Sequence, residues 1–372
     1  MSRIKEIYDR ISEASSNFLG YPLAKDFNYS EFAPFLNLCI NNVGDPESPS
    51  TLSIDTKDIE REVISFFADI LSSSTNDVWG YVTNGGTEGN LYGLYLARES
   101  FNNPVVYYSE STHYSVKKNL HLLNLKNIVV RSQDNGEIDY DDLESLITLH
   151  RDKPAVFFLN IGTTMTEAVD DLDKIKGIIK KYAIKDYYIH CDAAFLGCIA
   201  PFVDPKPKFD FAEGIDSISI SGHKFIGGPI PCGIVLAKRK HRDRIVNSVS
   251  YVGTLDTTIT GSRNGLTPLL LWSFIEKYGK EGLITRARKS QELAAYTEQR
   301  LKEIGVKTWR NNEALTVVLE KPSEALCKKY QLASENEMAH IICVPGTKKE
   351  QIDAFIKDYE KELFVVERLI YN

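Results

Sequence analysis

The sequence predicts an α/β protein with a largely parallel sheet, followed by a smaller α+β domain. Three observations carry that expectation. Short apolar runs recur at 79–83, 104–108, 127–131, 154–159, 187–191 and 216–220, and amphipathic patterns of helical period separate most of them. After about residue 268 the texture changes to long helical patterns over 269–304, then to apolar stretches at 306–309, 315–319 and 339–344. The length of 372 residues gives about two domains at ~150 residues each.

The elements follow in order. Residues 1–55 do not form a folded unit alone: Asn41-Asn42-Val43-Gly44-Asp45-Pro46, with Pro49 close behind, is rich in turn formers. Ile59, Val63, Phe66, Phe67 and Ile70 recur at helical spacing within 56–72. The strand at 79–83 runs into Asn84-Gly85-Gly86-Thr87-Glu88-Gly89-Asn90 and then into a helical pattern beginning at Leu91. A glycine-rich turn that opens a helix presents free backbone N–H groups and the positive end of the dipole, which is an anion site. It is neither a Walker A sequence nor GxGxxG, so a nucleoside triphosphate or a dinucleotide does not fit it. Alone the signal is weak, since glycines often sit in such turns for steric reasons.

Three further features add to it. His113 follows the strand at 104–108, in Ser111-Thr112-His113-Tyr114-Ser115. Asp192 ends the apolar strand Tyr188-Ile189-His190-Cys191, at the strand end where α/β proteins bind ligands. Lys224 lies in Ser221-Gly222-His223-Lys224-Phe225-Ile226-Gly227-Gly228, directly after the run 216–220. A buried lysine has a depressed pKa and is a usable nucleophile that forms Schiff bases. Each has a bland alternative: a structural histidine, a turn aspartate, a surface lysine. A further strand at 233–237 follows a short Gly/Pro-rich turn and is expected to be an added, antiparallel one.

Composition narrows the partners. Hydrophobic residues make up 43% and charged residues 26%, ordinary for a globular chain, and the net charge of -7 argues against a general nucleic-acid surface. The start, Met1-Ser2-Arg3-Ile4-Lys5-Glu6-Ile7, has no apolar signal core, and no stretch approaches the ~18 apolar residues of a membrane span. The six cysteines show no CxxC pairing, so reduced thiols in a cytoplasmic protein are expected, and no metal site.

Taken together, glycine turn, histidine, aspartate and lysine are the parts that pyridoxal phosphate needs. A lysine holds its aldehyde, a carboxylate keeps its ring nitrogen protonated, an aromatic or imidazole ring stacks on it, and a helix N-terminus takes its phosphate. At this point the chain resembles the group II pyridoxal-phosphate-dependent amino-acid decarboxylases, and within them the short bacterial histidine decarboxylases and plant serine decarboxylases. The stretches that carry the resemblance are 80–90, 112–116, Asn160-Ile161-Gly162-Thr163-Thr164, His190-Cys191-Asp192, Ser221-Gly222-His223-Lys224, Pro231-Cys232-Gly233 and Gly261-Ser262-Arg263-Asn264-Gly265.

The resemblance implies the fold type I (PLP-dependent transferase-like) architecture, with an N-terminal segment 1–55 packed on a partner subunit of a homodimer, a cofactor-binding large domain at 56–268 and a small domain at 269–372. It implies that Lys224 is the Schiff-base lysine, that Asp192 pairs with the pyridinium nitrogen and that His113 stacks on the ring. Gly86, Thr87, Ser221 and His223 would surround the phosphate, and Thr164 and Ala194 would line the cofactor's other edge. Tyr251, in Ser250-Tyr251-Val252-Gly253-Thr254, falls where the family has a mobile loop whose tyrosine protonates the product; Lys224 is the other candidate.

Decarboxylation of L-histidine to histamine is the expected reaction. Three positions depart from the family pattern: Leu266 stands where a histidine is usual, Met165-Thr166-Glu167 follows where a basic residue or glycine is usual, and Phe195 is bulky. An imidazole needs polar partners in its pocket. L-Serine decarboxylation to ethanolamine, or action on another amino acid, therefore stays open. So do an aminotransferase or lyase on the same scaffold, and a non-catalytic binding protein.

Overall fold

The computed structural model describes residues 2–249 and 253–370. The chain divides into two compact units, one of 27–164 and 168–285, the other of 2–26, 165–167 and 286–370. The sequence reading drew its boundaries at 55/56 and 268/269.

The larger unit is built on seven strands: β1 (Val78–Thr83), β2 (Val105–Ser109), β3 (Lys126–Val130), β4 (Ala155–Asn160), β5 (Tyr187–Asp192), β6 (Ser217–Ser221) and β7 (Gly233–Lys238). Their order in the sheet is β1-β7-β6-β5-β4-β2-β3. The pairs β6–β5, β5–β4, β4–β2 and β2–β3 are parallel, while β7 runs antiparallel to both its neighbours. The added strand at 233–237 is therefore antiparallel as expected, and it is inserted between β1 and β6. Every residue of β1, β4 and β6 is buried; β1 and β4 accordingly read as nearly continuous apolar runs, whereas β6 alternates serine with isoleucine. Strand β3 closes one edge and exposes Lys126 and Asn127, a charged and polar rim that discourages further pairing.

Helices α2 (Lys57–Ile70), α3 (Gly86–Ser100), α4 (Ser115–Leu122), α5 (Tyr140–Ile147), α6 (Leu172–Lys181) and the short α7 (Arg239–Arg242) connect or cover these strands. Helix α2 turns Val63, Ile64, Phe67 and Ile70 inward, and α6 does the same with Leu172, Ile175, Ile178 and Ile179, each at three- and four-residue spacing. Asp139 and Asp171 cap α5 and α6 by accepting from two first-turn N–H groups each. One core cluster joins Trp79, Tyr81, Tyr92, Leu94, Val106, Tyr108, Val156, Phe158 and Tyr188. Each such fully buried side chain contributes roughly 1.5–3 kcal/mol. A two-stranded ribbon pairs β8 (Asn247–Val249) with β9 (Thr254–Asp256). Helix α8 (Leu266–Glu303) is broken at Gly279, whose φ of 53° combined with ψ of -157° is a conformation that favours glycine.

The smaller unit has its own antiparallel sheet, ordered β10 (Thr308–Trp309), β11 (Thr316–Glu320), β13 (Met338–Ile342), β12 (Ala333–Glu335). Helices α9 (Glu324–Tyr330) and α10 (Lys349–Ile370) pack with it, and Leu19 joins the same core as Val317, Tyr330, Ile341 and Phe355. Helix α1 (Arg3–Asn17), by contrast, has no buried residue.

Candidate active site

Helix α3 sits unusually close to the sheet because of its sequence. Gly86, Gly89, Asn90 and Gly93 lie three and four apart and so form one stripe along the helix. Ser217, Ser219 and Ser221 alternate along β6 and share one face of that strand. The two stripes meet. A Cβ on Gly86 would lie 2.8 Å from Ser221 Oγ and 3.4 Å from Ala194 Cβ, and one on Gly89 would lie 2.2 Å from Ser219 Oγ. Ser219 Oγ donates to the Gly86 carbonyl at 3.2 Å.

At the mouth of this contact the chain turns through Gly85, whose φ of 142° favours glycine. Thr83 Oγ1 braces the turn by bonding the carbonyl of Gly85 at 3.0 Å. Glu88 closes it from the other side, accepting from Asn84 N at 2.9 Å and from Tyr81 Oη at 2.9 Å. The first N–H groups of α3 have no intrahelical acceptor, so Gly86 and Thr87 offer donors at a positive helix end. Ser221 ends β6 beside them, and His223 Cε1 lies 3.8 Å from where a Cβ on Gly85 would be. His223 is held by Nδ1, which bonds the Cys232 carbonyl at 2.8 Å, and burial lowers its pKa. Asn119 of α4 donates to the Thr87 carbonyl at 3.0 Å.

Asp192, at the end of β5, is buried and bonded on both oxygens. Ala194 N donates to Oδ1 at 3.0 Å, and Asn90 Nδ2 donates to Oδ2 at 2.7 Å. Lys224 sits in a single π-helical turn, His223–Gly227, a local widening often found at functional sites. Burial lowers the Lys224 pKa, and the charge of Asp192 opposes that in part. No hydrogen bond ties its amine to a partner among the described residues. His113 completes the cluster: burial lowers its pKa, with Asp192 raising it and Lys224 and Lys118 lowering it further. Its ring is set by Ser115 Oγ, 2.8 Å from Nδ1, and the adjacent Thr112 Oγ1 accepts from Asn160 Nδ2 at 3.0 Å. Asn160 ends β4 directly beside Asp192.

The structure thus gathers Gly86, Thr87, Ala194, Ser221 and His223 around one turn, and His113, Asp192 and Lys224 into one electrostatic cluster next to it. Thr164 lies exposed on the loop after β4, four residues beyond Asn160. Tyr251 lies outside the described residues. Sequence reasoning gave no role to Asn90, His190, Ser217 or Ser219. The signal is present in part, as the Gly-x-x-Gly-Asn-x-x-Gly spacing of α3 and the alternating serines of β6, yet their partners lie 27 to 133 positions away.

The cradle fits a phosphorylated pyridoxal: a bare glycine, Gly86, where a Cβ would collide with Ser221, a desolvated amine free of hydrogen bonds among the described residues, and a carboxylate fixed at a strand end. Residues 55–319 match the model of the pyridoxal-dependent decarboxylase conserved domain. The chain belongs to the pyridoxal-dependent decarboxylase family. It is 48% identical over 355 residues to a histidine decarboxylase of Mesorhizobium japonicum, covering 95% of this chain and 96% of that one. It is 47% identical over 343 residues to a histidine decarboxylase of Acinetobacter baumannii, covering 91% and 90%. Among solved structures, L-methionine decarboxylase from Streptomyces sp. 590, in complex with L-methionine methyl ester, superposes with a TM-score of 0.88 at 26% identity, over 96% of this chain and 94% of that one. The fold type I expectation therefore holds, the enzyme is a decarboxylase, and its cofactor is pyridoxal phosphate.

The three departures noted in the sequence have structural places in this decarboxylase. Glu167, with φ of 57°, is buried and accepts from Leu315 N, Thr316 N and Thr316 Oγ1, so it anchors its own tripeptide within the smaller unit. Leu266 opens α8, where Asn264 Oδ1 caps its N–H at 2.8 Å. Phe195 is buried after β5. Among the described residues, no helix is long and apolar enough to cross a membrane.

Proposed function

We propose that this decarboxylase converts L-histidine to histamine and carbon dioxide. The observation that carries the substrate is the likeness to relatives named histidine decarboxylase, at 42–48% identity over 91–96% of the chain. We assign the roles at the site as follows. Lys224 Nζ holds the cofactor covalently, Asp192 pairs with its ring nitrogen, and His113 lies on its face. Gly86, Thr87, Ser221 and His223 receive the phosphate, and Thr164 and Ala194 line the other edge.

When bound, pyridoxal phosphate supplies the electron sink for the carbon–carbon bond that breaks. The chain's own groups do the rest. The low-pKa amine of Lys224 spends more time neutral and is free to attack or to accept a proton. The fixed carboxylate of Asp192 offers a negative charge in a dry site, where it is worth far more than in water. The lowered pKa of His113 keeps its imidazole neutral, so it covers a ring face without adding a positive charge. One proton must reach the product carbon for each carbon dioxide released. Lys224 Nζ and Tyr251 are the two donors assigned to that step. Replacing Tyr251 by Phe separates them: a large loss of kcat names the tyrosine, an unchanged kcat names the lysine.

The test of the substrate is release of carbon dioxide and analysis of the amine from a panel of amino acids, with and without added pyridoxal phosphate. Histamine from histidine is expected. Ethanolamine from serine would replace the substrate, and keto-acid formation would overturn the reaction.

The same reading includes a homodimer. Ile4, Ile7, Tyr8 and Ile11 form an i, i+3, i+4, i+7 stripe on α1, and all are exposed, Ile4 by 80%. An apolar stripe of this kind suits a second copy of the chain. Sedimentation should give a dimer, weakened by Ile4→Asp with Ile11→Asp; a monomer at micromolar concentration would sink it. A cytoplasmic setting is also proposed, suited to buried cysteines that form no disulfide, among them Cys191, Cys232, Cys327 and Cys343.

A further inference from the structure

Behind Asp192 runs a chain of buried polar groups. Ser217 Oγ lies 2.7 Å from His190 Nδ1, His190 Nε2 lies 3.0 Å from Asn90 Oδ1, and Asn90 Nδ2 lies 2.7 Å from Asp192 Oδ2. Ser217 and His190 are fully buried, and Asn90 and Asp192 nearly so. We propose that Asn90 is a positioning residue for the cofactor's ring: its carboxamide, locked by His190 and Ser217, donates to Asp192 and fixes the carboxylate that faces the pyridine nitrogen. This rests on the assignment of Asp192 given above.

Hydrogen-bond chemistry allows one direction along this chain. An ionised carboxylate only accepts, so Asn90 must turn its NH2 toward Asp192 and its oxygen toward His190. That oxygen also only accepts, so His190 must carry its proton on Nε2. Burial pushes His190 down to about 3, so the ring is neutral and its Nδ1 is bare. Ser217 must then donate to Nδ1. Every member is fixed by the next, and the last bond falls on Asp192. With Ala194 N on Oδ1, the carboxylate cannot rotate without breaking two hydrogen bonds. A charge-assisted bond of this kind is stronger and geometrically stricter than a neutral one.

Asn90→Leu is the discriminating variant, because it keeps the branched shape, removes the donor and adds no charge beside Asp192. A packing role predicts wild-type cofactor affinity and spectrum. The positioning role predicts that at pH 8 the dissociation constant for pyridoxal phosphate rises about ten- to hundredfold, the scale of a lost hydrogen bond to a charged group. The holoenzyme's cofactor absorbance should shift and kcat should fall more than KM changes. A wild-type dissociation constant and spectrum in Asn90→Leu would overturn the proposal. In parallel, two-bond 1H–15N correlation on the cofactor-free protein should show His190 as the Nε2–H tautomer. The Nδ1–H tautomer would overturn the proposal even if the variant fails to fold. Asp192→Ala separates the underlying assignment: if it binds pyridoxal phosphate with a wild-type spectrum, that assignment fails. If Asp192→Ala is impaired and Asn90→Leu is not, only the present inference fails.

Discussion

A Cβ placed on Gly93 would lie 2.2 Å from Nδ1 of His190, so helix α3 and strand β5 meet at a point where only hydrogen fits. Alanine in a helix interior is favoured over glycine by about 0.8–1.0 kcal/mol. Here the clash wins, because the imidazole is held on both nitrogens and cannot withdraw. Gly93→Ala is expected to destabilise the protein by about 1–3 kcal/mol, the usual cost of overpacking. Gly177 of α6 is the control: a Cβ there meets nothing within 4 Å. Gly177→Ala should stabilise by roughly 0.5–1 kcal/mol. Urea unfolding of both variants checks the pair, and the same sign for both would refute the packing argument.

Lys224→Ala should abolish turnover and the absorbance of covalently held cofactor. Borohydride reduction of the wild-type holoenzyme, followed by peptide mass analysis, should place the added mass on the peptide containing Lys224. Label on another lysine would remove Lys224 from the role assigned to it.

Arg263 and Glu60 form a fully buried ion pair. Arg263 also donates to the Gly44 carbonyl, and Glu60 accepts from Val82 N at 2.8 Å and Asn42 Nδ2 at 2.9 Å. The pair joins the turn at 42–44, α2, β1 and the segment before α8. Removing one charge strands the other, at a cost of about 3–5 kcal/mol, whereas removing both often costs little. Glu60→Leu alone should therefore lower the unfolding midpoint more than Glu60→Leu with Arg263→Met. A double-mutant cycle measures the difference, and simple additivity would contradict it.

Glu167 gives a pH dependence with a definite sign. Burial raises its pKa from 4.5 to about 7, outweighing the donors from Thr316 and Leu315. The folded state therefore holds its proton more tightly than the unfolded state. The stability this contributes is complete below pH 4.5 and is lost as pH rises through 7, about 3 kcal/mol in all. Asp170, raised to about 6 by burial, acts with the same sign but at lower pH. His113, His190, His223 and His340, whose pKa values burial lowers, act with the opposite sign over the same range, so the signature of Glu167 is a difference: the stability of the wild type minus that of Glu167→Gln should fall between pH 6 and 8. Urea unfolding of both proteins at pH 6, 7 and 8 reads it, and a difference that rises with pH or stays flat would reverse the assignment.

Much of the molecule was legible in order along the chain. Strands of the sheet interior avoid lysine, arginine and glutamate, so β1, β2, β4, β5 and β6 are legible within two residues of their ends, β6 even though it alternates serine with isoleucine. Lys224, Asp192, His113 and the turn at Gly85 and Gly86 stood out because each chemistry-bearing residue follows an apolar run. The position of β7 was less accessible. Its composition marks it as a strand, but insertion between β1 and β6 is a matter of pairing, which local pattern does not encode. Glu167 looked like a departure from a family pattern, and only the fold shows that its carboxylate anchors the segment to Leu315 and Thr316.

The amino-acid order by itself determined the class of fold and the cofactor, because these depend on residue type at strand ends and on short-range spacing. Tertiary structure decided what holds those groups still. Asn90 and His190 are a hundred positions apart, and neither is informative until α3 lies on the sheet. The hydrogen bonds of Asn90 to His190 and to Asp192 exist because glycines let that helix come close enough, and closeness between distant segments is a property of packing, not of order along the chain.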